Sequence, residues 1–103
     1  MSEIKDLVRE TIKETQKVVP PPLYAVVIHN DDFTPFMFVE FVLCKICKLS
    51  KSAAALAASN IHKKGKDVVG AYTREIAETY CTQIKSCAVE YGYPLLAEIQ
   101  PIE

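Results

Sequence analysis

The chain has 103 residues, 50% apolar and 24% charged, with a formal net charge of −1. That length supports one domain, and so balanced a charge offers no basic field for nucleic acid. No run approaches the ~18 apolar residues a membrane span needs, and the opening Met1-Ser2-Glu3-Ile4-Lys5-Asp6 has neither secretory nor transit character, so the expected address is the cytoplasm.

Residues 2–19 place Ile4, Leu7, Val8 and Ile12 at helical spacing among charged residues, a stripe too thin to hold an isolated helix in water. Pro20-Pro21-Pro22 then forces an extended spacer. Residues 1–22 are therefore expected to form a flexible arm, and residues 23–103 a folded domain. Leu23 to Ile28 is an unbroken apolar run between Pro22 and Asn30-Asp31-Asp32, the pattern of a buried strand. Thr34 before Pro35 predicts a helix with a hydroxyl cap and proline at its first position. That helix, running to about Lys48, is apolar on nearly every side through Phe36, Phe38, Val39, Phe41, Val42, Leu43 and Ile46, which predicts a central core helix.

Ser50 restarts a second helix through the alanine run 53–58 to His62, with Lys63 and Lys64 at its negative end and Gly65 at a left-handed exit. Val68 to Tyr72 predicts a second strand. Thr73 is placed to cap a third helix that runs to Gly92, and Leu95 to Ile99 alternates as a closing strand. The order β-α-α-β-α-β predicts an α+β two-layer sandwich, a three-stranded antiparallel sheet packed on three helices.

Four cysteines stand at 44, 47, 81 and 87. Cys44 and Cys47 have metal-like spacing, but they fall inside a helical apolar pattern with no matching second pair. All four read as reduced, mostly buried small hydrophobes, with no metal or cofactor implied.

The chemistry concentrates in Asn30-Asp31-Asp32-Phe33-Thr34-Pro35. Three acid or amide side chains in one turn suit ordinary turn chemistry, capture of a cation, or a catalytic carboxylate pair. The last needs one raised carboxyl and a companion nucleophile or metal set, and the sequence offers no such companion. Ala58, Ile61 and His62 share a helix face by spacing, and if that face meets the turn, the two together make a cation site with an apolar floor. His29 carries no pattern of its own.

These stretches, followed by His62-Lys63-Lys64-Gly65-Lys66, Gly70 through Glu78 and Pro94-Leu95-Leu96, resemble the ClpS adaptor family over roughly residues 20–100. The resemblance implies a binding module and not an enzyme: a monomeric adaptor that captures N-degron substrates. It would hold their free α-amino group and a bulky first residue (Leu, Phe, Tyr or Trp), and deliver them to the N-terminal domain of a ClpA-type AAA+ unfoldase for ClpP proteolysis. By position, Asn30, Asp32 and His62, with Asp31 beside them, would hold the amine. Thr34, Phe36, Val39, Ala58, Ile61 and Leu95 would line the side-chain pocket. Glu75, Glu78 and Tyr80 would meet the unfoldase. The family commonly has methionine at the positions of Phe36 and Ala58, and lysine at that of Tyr80. The alternative implied is a protease-docking modulator that does not recognise N-degrons.

Overall fold

The computed structural model describes residues 21–102. The predicted arm, residues 1–22, therefore lies almost wholly outside the described residues. Three strands and three helices follow in the expected order: β1 (Leu23–His29), α1 (Phe36–Lys45), α2 (Lys51–Lys64), β2 (Lys66–Thr73), α3 (Arg74–Tyr91) and β3 (Leu96–Pro101). The strands form one antiparallel sheet in the order β2-β1-β3. The most apolar strand thus takes the centre, where both of its edges are paired. The fold is the α+β two-layer sandwich that the pattern predicts.

Val26 and Ile28 of β1 meet Phe38, Val39, Val42 and Leu43 of α1, Ala54, Ala58 and Ile61 of α2, and Ala77, Cys81, Ile84 and Ala88 of α3 in one core. Removing this apolar surface from water is the main stabilising term. The alanines of α2 keep that helix close to α1, against which it packs.

Helix ends follow from local chemistry. Ser50 caps α2, its hydroxyl oxygen accepting from the Ala53 N–H at 3.2 Å. Gly65 and Gly92 end α2 and α3 at φ values of 88° and 79°, a left-handed conformation that costs a residue with a Cβ about 1–2 kcal/mol.

Several expectations need correction. Helix α1 begins at Phe36 rather than Pro35, and its boundary residue makes no side-chain capping bond. The Thr34 hydroxyl is engaged elsewhere, as described below. Thr73 occupies the boundary of α3 without a side-chain cap. Helix α1 stops at Lys45 instead of Lys48, because Lys48 turns left-handed at φ 62° and the Leu49 N–H closes onto the Leu43 carbonyl. It is also less buried than its composition suggests. Phe38, Val39, Val42 and Leu43 are enclosed, whereas Phe36, Met37 and Phe41 are exposed, so a single stripe faces the core. Strand β2 extends beyond Val68–Tyr72 at both ends, and β3 begins at Leu96, one residue later than expected.

The cysteines are free, with Cys47 and Cys81 buried and Cys44 and Cys87 half-buried. Burial, aided by the neighbouring Cys81, pushes the Cys47 thiol up to about 11, away from the thiolate form that reacts or binds metal.

Ile84 is fully buried on α3. Ile84→Ala is expected to cost about 2–5 kcal/mol. The measurement is a fall in the urea unfolding midpoint with unchanged slope.

Candidate functional site

The turn after β1 is built by Asp31. Its Oδ1 accepts from the Phe33 N–H at 2.9 Å and the Thr34 N–H at 2.7 Å, and its Oδ2 accepts from the Thr34 hydroxyl at 2.7 Å. This is an Asx turn closed by a hydroxyl clamp. Burial works to raise the Asp31 carboxyl, but the bonds from Thr34 and Phe33 prevail and hold it below its ordinary value. A general acid needs the opposite displacement.

One backbone bond brings the second segment in. The Asn30 N–H donates to the Gly65 carbonyl at 2.8 Å. Because the Gly65 N–H is itself held by the Ile61 carbonyl at 2.9 Å, the last turn of α2 is fixed beside the Asx turn. Ala58, Ile61 and His62 thereby come to face Asn30, Asp31, Asp32, Thr34, Phe36 and Val39 around one cavity of about 320 Å³. The buried wall is made of Val39, Ala58 and Ile61, and the exposed side carries Asn30, Asp32, Phe36 and His62. That volume lies at the lower end of small-molecule sites and suits one large side chain.

Nine of the ten residues expected at the amine and the pocket line this cavity. Leu95 does not: it is buried in the core just ahead of β3. Of the residues expected to dock a partner, Glu75 and Glu78 are exposed on α3 and Tyr80 is half-buried there. The Arg74 Nε donates to Glu78 Oε1 at 2.9 Å, and Tyr80 packs edge-on against Tyr72 with ring centres 4.9 Å apart. None of the three lines the cavity. Among the described residues, no group of three or more His, Cys, Asp or Glu side chains is arranged to hold a metal ion.

His29, which carries no pattern in the sequence, has a partner in the sheet. Its Nε2 lies 2.9 Å from Glu98 Oε1, bridging β1 and β3, and Gln100 donates to the same oxygen at 3.1 Å. The His29 hydrogen bond is the main influence holding the Glu98 carboxyl below its ordinary value. Strand parity sets Glu98 and Gln100 on one face of β3, but only the pairing register, with His29 opposite Leu96 and Val27 opposite Glu98, brings His29 onto that face as the diagonal neighbour of Glu98.

Comparison with known proteins gives a single family. Residues 19–98 match the family described as ATP-dependent Clp protease adaptor protein ClpS. The chain is similar to the ATP-dependent Clp protease adapter protein ClpS of Desulforapulum autotrophicum, 40% identical over 92 residues that cover 89% of this chain and 88% of the relative. It is also similar to the protein of the same description from Burkholderia cenocepacia, 39% identical over 97 residues covering 92% and 93%. Among solved structures it is similar to Agrobacterium tumefaciens ClpS2 bound to L-phenylalaninamide, with a TM-score of 0.78 and 34% identity over 81% of this chain and all (100%) of that one.

The Asx turn makes a testable contribution to stability. Asp31→Ala is expected to cost about 0.5–2 kcal/mol at neutral pH, the range for loss of a capping side chain. Folding lowers the Asp31 carboxyl, so its stabilisation is fully present above the unfolded value near ~3.9 and is lost as pH falls through the folded one. Denaturant midpoints of wild type and Asp31→Ala should accordingly differ most at neutral pH and converge in acid below about 4.

Proposed function

The chain belongs to the ClpS family of ATP-dependent Clp protease adaptors, and from that membership we propose that its cavity reads the first residue of a polypeptide. The observation that carries this reading is a single cavity with hydrogen-bond acceptors on its open side and apolar side chains within.

An α-ammonium is a triple donor, largely charged near neutral pH. It asks for acceptors, and the Asn30 amide oxygen, the Asp32 carboxylate and a neutral His62 imidazole nitrogen supply that chemistry. Asp31 contributes indirectly, since both of its oxygens are already engaged within the turn. An internal peptide nitrogen brings one hydrogen and no charge, and leaves acceptors unpaired at about 1–3 kcal/mol each. That difference separates a chain terminus from a chain interior.

The bulky first side chain (Leu, Phe, Tyr or Trp) enters between Phe36, Val39, Ala58 and Ile61, with Thr34 beside it. The ligand bound by the Agrobacterium neighbour, L-phenylalaninamide, has the matching chemistry: a free amine, a bulky apolar side chain and an amide where a peptide bond would follow. Captured N-degron proteins then pass to a ClpA-type AAA+ unfoldase for ClpP proteolysis in the cytoplasm. The acidic and apolar face of α3 formed by Glu75, Glu78 and Tyr80 serves for docking on the unfoldase's N-terminal domain. The protein itself performs no catalysis and acts as a monomer.

The test uses short peptides beginning with Leu or Phe, each with a free and an acetylated amine, titrated by fluorescence anisotropy. Asp32→Ala and His62→Ala are each expected to weaken the free peptides by about 10- to 100-fold, as for loss of a hydrogen bond to a charged group. Acetylation is expected to abolish binding to the wild type. Equal affinity for free and acetylated peptides would refute the reading.

A further inference from the structure

Helix α3 carries a surface groove of about 300 Å³ lined by Glu75, Ile76, Thr79 and Tyr80. Spacings of three and four place these residues side by side on the helix. Glu75 is exposed, and Ile76 is 45% exposed. The Thr79 hydroxyl is satisfied within the helix, donating to the Glu75 carbonyl at 2.9 Å. Tyr80 is held in place by Tyr72, whose ring it meets at an interplanar angle of 82°. Tyr72 in turn lies across Gly70, where a Cβ would collide with its ring and hydroxyl. The groove thus presents a carboxylate, an apolar side chain and an aromatic ring whose position is fixed.

The same helix shows what such a set of groups binds. The Arg74 guanidinium stands 5.8 Å from the centre of the Tyr24 ring, while its Nε donates to Glu78 Oε1 at 2.9 Å. That is a cation shared by a carboxylate and an aromatic ring. Glu75 and Tyr80 offer the same two groups in one groove. Yet among the described residues no cationic side chain pairs with Glu75 or stands over Tyr80.

We infer that this groove receives a basic side chain, arginine best, presented by the N-terminal domain of the unfoldase. The inference rests on the docking role given to α3 above and names the chemistry of the partner at that point. A guanidinium is planar, stacks on a ring and forks onto a carboxylate, which an ammonium does less well. The alkyl stem of such a side chain suits the apolar surface of Ile76. An acidic side chain would be repelled by Glu75, and Arg74 is already engaged by Glu78. The family commonly has lysine at the position of Tyr80. A lysine presents a positive charge to its partner, whereas this tyrosine receives one, so the chain selects an unfoldase surface of the opposite sign.

The test titrates full-length ClpA-type unfoldase from the same organism against the labelled full chain by fluorescence anisotropy. Glu75→Gln is expected to weaken binding about tenfold, the scale of a hydrogen bond to a charged group, with an unchanged melting temperature because Glu75 is exposed. Tyr80→Leu is expected to weaken it about three- to tenfold, and Tyr80→Phe, which keeps the ring, to bind as the wild type does. Tyr80→Lys is expected to weaken binding by more than about tenfold, because it sets a second cation against the partner's. Wild-type affinity should fall as salt rises and screens the charges. If the wild type binds the unfoldase but Glu75→Gln binds equally well, or Tyr80→Lys binds more tightly, the inference is overturned and docking itself stands. If the wild type does not bind the unfoldase, the docking reading falls and this inference falls with it.

Discussion

The bond from the Asn30 N–H to the Gly65 carbonyl, 2.8 Å long, makes one site out of two segments distant in the chain. Without it, an acid-rich turn and a helix end carrying His62 would be unrelated surface features. It depends in turn on Gly65, whose left-handed conformation lets the chain leave α2, present its carbonyl to the turn and enter β2 at once as the antiparallel neighbour of β1. A residue with a Cβ at this position would hold the same backbone only under strain. The assembly of the cavity therefore rests on a glycine that does not line it.

Within the turn the two aspartates divide their labour. Asp31 spends both oxygens on Phe33 and Thr34 and so fixes the shape of the loop, while Asp32 lines the cavity from an exposed position. Adjacent carboxylates in a sequence invite a catalytic reading, but catalysis by such a pair requires one to be held protonated. Here the carboxyl that is displaced has moved toward the charged form. Paired acids can thus act as one structural and one available acceptor, and only the hydrogen-bond pattern tells the roles apart.

Much of the architecture was legible because it rests on strong local signals. The apolar run of β1, the Ser50 cap, and Gly65 and Gly92 at helix ends act through the chemistry of one or a few residues, and the element order fixed the layer arrangement. The errors came where competing partners were present. Thr34 has the composition of a cap, but its hydroxyl found a charged acceptor at 2.7 Å in Asp31, a stronger partner than a helix amide. Helix α1 reads as buried on nearly every side because Phe36 and Phe41 are apolar too, and hydropathy does not reveal that the rest of the core covers only one stripe. The spacing of Ala58, Ile61 and His62 disclosed a common face. What joins that face to Asn30 is a backbone interaction that leaves no side-chain signature.

The position of β1 in the sheet has a mechanical consequence. The strand that carries the upstream chain is the middle one, hydrogen-bonded to β2 on one side and β3 on the other, and the Ile102 N–H donates to the Leu23 carbonyl at its entry point. Pulling on the chain ahead of Leu23 cannot peel away an outer strand, because extracting the loaded strand means rupturing two ladders. A tether attached here transmits tension into the best-anchored element of the domain.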